Sequence, residues 1–87
     1  MKSYLETFLE TKSLVKMDSF IVISTRTDVD EWEDLMEYDY SDGRLWVYRN
    51  FVKNFQDLFP IDREQALEFI KNWFENKFDV LIEYTQS

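Results

Sequence analysis

The chain has 87 residues, 45% hydrophobic and 18% aromatic, and its 18 acids outnumber 10 Lys and Arg to give a formal charge of −8. It contains neither Cys nor His, which removes disulfides, zinc thiolate sites, the commonest general base and the commonest metal ligand. So acidic a balance disfavours direct nucleic-acid or anionic-membrane binding, both of which rest on Lys and Arg, and no apolar run approaches the roughly 20 residues of a membrane span.

The length suits one domain, residues 1–87, and the sixteen aromatic side chains supply the core that so small a domain needs. Residues 3–15 place Tyr4, Leu5, Phe8, Leu9 and, less regularly, Leu14 and Val15 at a spacing near four, and Ser3 with Glu6 reads as a capping box, so a helix is expected. Phe20 to Ser24 is β-branched and apolar, which predicts a strand.

Two readings of the next segment stand. Val29, Trp32, Leu35 and Met36 recur at helical intervals behind Thr27 and Asp30, whereas Trp32, Met36, Tyr38 and Tyr40 share the parity of a strand. The strand is favoured, with Trp32 counted as core, because Asp42-Gly43 is a preferred two-residue type I′ turn and Leu45-Trp46-Val47-Tyr48 follows as its partner. That turn sets Tyr40 opposite Leu45, Tyr38 opposite Val47 and Met36 opposite Arg49 as the core face. Glu33, Leu35, Glu37 and Asp39 then share the other face with Trp46 and Tyr48.

Phe51 to Phe59 predicts a short helix ended by Pro60. Asp62 and Gln65 cap a longer one, in which Ala66, Leu67, Phe69, Ile70, Trp73, Phe74 and Phe78 form a broad apolar stripe ending near Lys77. Phe69, Trp73, Phe74 and Phe78 are expected in the core. Val80 to Tyr84 reads as a final strand. The expected fold is α+β: an antiparallel sheet of three to four strands packed on one face by two helices, in the order α-β-β-β-α-α-β.

The charge is concentrated. Asp28, Asp30, Glu31, Glu33, Asp34, Glu37, Asp39 and Asp42 lie between Thr27 and Gly43 without a Lys or Arg among them, while the remaining acids balance the bases. Asp28, Asp30, Asp34 and Asp39 echo a calcium loop, but Trp32 and Glu33 stand where that loop needs an oxygen ligand and Gly. Paired carboxylates for glycoside hydrolysis need a cleft that so small a domain has little room for. No phosphate loop or nucleophile elbow is present. A non-enzymatic protein without cofactor or metal is expected, and the plainest reading of the acidic run is a solubilising surface.

A one-signed patch also selects partners. The sharper expectation is an inhibitor occupying the basic cleft of a nuclease or other nucleic-acid-acting protein. Asp30, Glu31, Glu33, Asp34, Glu37, Asp39 and Asp42 would meet its cations, and Trp46 and Tyr48 would anchor the contact. In size, acidity and order of elements the chain resembles bacterial immunity proteins against nuclease bacteriocins and contact-dependent toxins. It is similar in the same terms to phage anti-restriction and anti-CRISPR proteins, some of which mimic DNA. The resemblance implies an inhibitor acting in a bacterium or a phage-infected host cell, and with neither a spanning run nor a signal-peptide h-region the cytoplasm is the default expectation. The alternative is a structural or regulatory interaction module, or a homodimer, whose acids oppose aggregation.

Overall fold

The apolar run from Phe20 to Ile23 opens a hairpin that organises the rest of the molecule. The computed structural model describes residues 13–16 and 19–87. Strands β1 (Ser13–Lys16), β2 (Phe20–Asp28), β3 (Glu31–Asp39) and β4 (Arg44–Val47) form an antiparallel meander, and β5 (Tyr84–Gln86) lies parallel to β4 at its edge. A parallel neighbour requires a crossover. Helices α1 (Arg49–Leu58) and α2 (Arg63–Phe78) provide it.

The expected α+β architecture holds, and the sheet is larger and mixed rather than wholly antiparallel. The helix expected over residues 3–15 falls mostly outside the described residues. Its last part, from Ser13, is strand instead, with Leu14 opposite Ile23 and Val15 opposite Val22. Residues 28–36 divide between two strands around a turn at Val29 and Asp30, so the helical reading is set aside.

The core is a stack of rows on one sheet face. Ile21, Tyr38 and Leu45 lie side by side, as do Ile23, Met36 and Val47, and all are buried. Phe51, Val52 and Phe55 of α1 and Ala66, Ile70 and Phe74 of α2 close over them. Phe74 packs its ring 5.5 Å from Tyr38, whose hydroxyl donates to the Leu81 carbonyl at 2.9 Å. Burying each such large side chain contributes about 1.5–3 kcal/mol.

Helix ends follow local chemistry. Phe59 is extended before Pro60, which stops α1. The Asp62 carboxylate accepts from the Gln65 N–H at 2.8 Å and the Gln65 side chain accepts from the Asp62 N–H, the reciprocal cap that the sequence predicts for α2. Asp79 in the left-handed region ends that helix. The final strand begins at Tyr84 rather than Val80, because the Ile82 N–H donates to Glu75 Oε2 and ties residues 80–82 to α2.

Phe69, expected in the core, lies outside it. It is 53% exposed, since the buried stripe of α2 repeats every four residues through Ala66, Ile70 and Phe74 and leaves Phe69 at its margin. Trp73 and Phe78 pack against the core as half-buried neighbours.

The β3–β4 register differs from the expected one by two residues. Asp39 faces Arg44, Tyr38 faces Leu45, Glu37 faces Trp46 and Met36 faces Val47. Tyr40 to Gly43 form a four-residue loop in place of the two-residue turn. The Asp39 carboxylate takes hydrogen bonds from the Ser41 N–H and hydroxyl, and the Gly43 N–H reaches back to the Asp39 carbonyl. Gly43 has φ of 69°, and a Cβ there would lie 2.5 Å from Glu83 Cγ. A slip of two preserves parity, so the faces assigned to β4 stand.

Candidate partner-binding face

On β3 the alternation breaks once. Ile23 pairs with Met36 and Ser24 with Asp34, leaving Leu35 as the extra residue of a β-bulge. Leu35 and Met36 are therefore both buried. Beyond the bulge parity reverses: Asp34 and Trp32 join the outer face, and Glu33 turns to the helix side. This corrects the expected placement of Glu33 and Leu35 on the acidic face, and of Trp32 in the core. Trp32 is 56% exposed.

The outer face thus carries Trp32, Asp34, Glu37 and Asp39 on β3, beside Trp46, Tyr48 and Arg44. Trp46 and Tyr48 are half-buried and meet edge to face, with ring centres 6.2 Å apart at 78°. Trp32, Glu33, Asp34, Trp46, Tyr48, Arg49, Asn50 and Ser87 line an open groove of about 640 Å³. It lies where β3 extends past the end of β4.

Several carboxylates are held in place. Asp34 Oδ1 accepts from the buried Ser24 hydroxyl at 2.8 Å, and Glu33 Oε1 accepts from Asn50 Nδ2 at 3.2 Å. Burial, the charges of Glu37 and Asp34 and a hydrogen bond to Glu37 raise the pKa of the Tyr48 phenol, so it stays neutral and donates to the Glu37 carboxylate.

The remaining predicted residues lie at the two ends of β3. Asp30 and Glu31 are exposed at the tip of the β2–β3 hairpin. There Arg26 donates to the Asp28 and Val29 carbonyls, and Asp28 Oδ1 accepts from the Val29 N–H. Asp39 and Asp42 belong to the opposite end and are engaged in the turn. The Ser41 hydrogen bonds lower the Asp39 pKa, and Asp42 accepts from the Arg44 N–H and the Tyr84 hydroxyl.

Sequence reasoning missed Trp32 and Ser24 as parts of this face, and Asn50 as part of the groove beside it. The one available signal was the adjacent apolar pair Leu35-Met36, which interrupts strict alternation and marks a bulge. Among the described residues no group of three or more Asp and Glu is disposed to hold a metal ion, and no helix is long and apolar enough to cross a membrane. Comparison with protein-family models, curated proteins and solved structures finds no significant match to this chain.

Proposed function

We propose that the chain is a non-catalytic inhibitor that binds a basic nucleic-acid-acting protein, a nuclease or similar enzyme, through the outer face of β3 and β4. The observation that carries this reading is the bulge at Leu35. It sets Asp34 and Glu37 on one face with Trp32, Trp46 and Tyr48, combining carboxylates for a cationic cleft with aromatic surface to be desolvated. Charge steers the encounter, and the aromatic contacts set its lifetime. Asp30 and Glu31, exposed at the tip, extend the field along the hairpin.

The test is affinity capture from nuclease-treated host or phage-infected lysate at low and high salt, followed by assay of the recovered protein. A basic nuclease or nucleic-acid-binding enzyme that is released by salt, and whose activity falls in proportion to added chain, is the expected outcome. Glu31→Lys with Glu37→Lys should abolish this binding without changing the fold. Recovery of no basic protein, or inhibition that survives the double reversal, would sink the reading.

A second reading, self-association, draws on Phe69 and Leu58, exposed at 53% and 51%. Apolar contacts of that kind persist in high salt, so dimerisation measured at both salt concentrations separates the two.

A further inference from the structure

We infer that the groove between Trp32, Trp46 and Tyr48 is a seat for an arginine side chain presented by the partner. The inference rests on the inhibitor reading and names the chemical group that this part of the face takes.

Two indoles and a phenol border one concavity, with Glu33 and Asp34 among its lining residues. Aromatic faces attract cations through their quadrupoles, and a carboxylate beside them supplies the charged hydrogen bond. A guanidinium satisfies both at once, because it is planar, stacks on rings and forks onto carboxylates. Lysine offers a compact, strongly hydrated charge with no plane to stack. An anion would meet the most acidic stretch of the chain, and an apolar group would strand Glu33 and Asp34 away from water.

The site is also largely preformed. Trp46 and Tyr48 brace one another edge to face, Ser24 fixes Asp34 and Asn50 fixes Glu33. Of the three rings, Trp32 alone leaves more than half of its surface to solvent. Arg49 sits in the lining as the chain's own cation. It weakens an incoming guanidinium by repulsion, so removing it should tighten binding.

The experiment titrates acetyl-Gly-Arg-Gly-amide into the full chain and follows the indole N–H signals by NMR. Trp73, which packs with Phe74 and Phe78 in α2, serves as the internal control. The Trp32 and Trp46 signals should move with a dissociation constant on the order of 1 mM, the scale of a single anchoring side chain, while Trp73 stays still. The lysine peptide should bind about five-fold more weakly, and the neutral citrulline peptide should leave the signals unmoved. Trp32→Ala should weaken the arginine peptide about five-fold and Arg49→Ala strengthen it about two-fold. Stationary Trp32 and Trp46 signals, or equal responses to arginine and citrulline or to arginine and lysine, would overturn the proposal.

The two readings fail separately. Salt-sensitive inhibition of a captured nuclease that is unchanged by Trp32→Ala retains the inhibitor and rejects the groove. Saturable arginine binding with no basic protein captured retains the groove and rejects the inhibitor.

Discussion

The β2–β3 hairpin has two halves that differ although one pair of strands makes both. On one side of the bulge, Phe20–Ile23 pairs with Met36–Asp39 and alternates between core and outer face, with Ile21, Ile23, Met36 and Tyr38 all buried. On the other, Ser24–Asp28 pairs with Glu31–Asp34, and buried Ser24 is followed by residues that are half-buried or exposed. The first half is flanked by β1 and β4 and covered by helices. The second projects past the end of β4, and none of its side chains belongs to the buried apolar core. One extra residue, Leu35, changes the role of the strand without ending it.

The largest effect should come from the layer that covers the first half. Phe74 is fully buried, with rings of Tyr38 and Phe78 at 5.5 and 4.5 Å. Phe74→Ala should cost about 3–5 kcal/mol in urea unfolding, a large share of the roughly 5–15 kcal/mol that holds a domain together. At the bulge itself, Leu35→Ala should cost about 2–4 kcal/mol, since Leu35 is 4% exposed. A loss below about 0.5 kcal/mol, typical of surface positions, would show that Leu35 does not belong to the core half and that the proposed boundary is misplaced.

Gly43 tests the turn that holds the far end of the hairpin. Gly43→Ala should cost about 1–3 kcal/mol, combining the left-handed φ of 69° with the close approach to Glu83 Cγ. Glu83→Ala in the same chain should recover only the part of the steric cost due to Cγ, since Glu83 Cβ and N, at 3.1 and 3.2 Å, remain.

The next effect is smaller and depends on pH. Burial, with help from nearby acidic groups, raises the Tyr38 phenol above its ordinary value of 10.0. A raised pKa means that the folded state holds the proton more tightly. The associated stability is therefore complete below pH 10 and lost as pH rises through the folded value. Tyr38→Phe should cost about 0.5–1.5 kcal/mol at neutral pH through the lost bond to Leu81, and should flatten part of the alkaline decline. Tyr48 and Tyr84, also raised, keep the remainder. Asp39 acts in the opposite sense. Its lowered pKa contributes stability above its ordinary value, which is lost as pH falls.

Much of the first half was legible because sheet parity tolerates an error of two. Placing Asp42-Gly43 as the whole turn misplaced every partner on β4, yet Tyr38, Leu45, Trp46 and Val47 kept their faces. The cap of α2 was legible because Asp62 and Gln65 act within one turn. The second half was not. A bulge at Leu35 is set by how two strands bond, and an apolar Trp32 reads as core until the parity reversal is known. Phe69 misled for a related reason, as a broad helical stripe does not say how wide the covering layer is. The parallel placement of β5 depends on where two helices leave the chain, which no local pattern records.

The smallest expected change in stability is the most informative about the projecting half. Trp32→Ala removes a large ring that is mostly in solvent and rises from a ribbon whose turn is held by Arg26 and Asp28, so unfolding in urea should change by less than about 0.5 kcal/mol. Binding should behave differently. If the ring is an anchor desolvated in the complex, dissociation of the captured basic protein should quicken by about 30-fold, equivalent to roughly 2 kcal/mol, with association nearly unchanged because charge governs the encounter. Stopped-flow mixing at one fixed salt concentration measures both rates. A loss of stability as large as that of Leu35→Ala would return Trp32 to the core and erase the distinction between the halves. A slowed association with unaltered dissociation would make the ribbon a steering element, leaving the contact itself to Glu37, Trp46 and Tyr48.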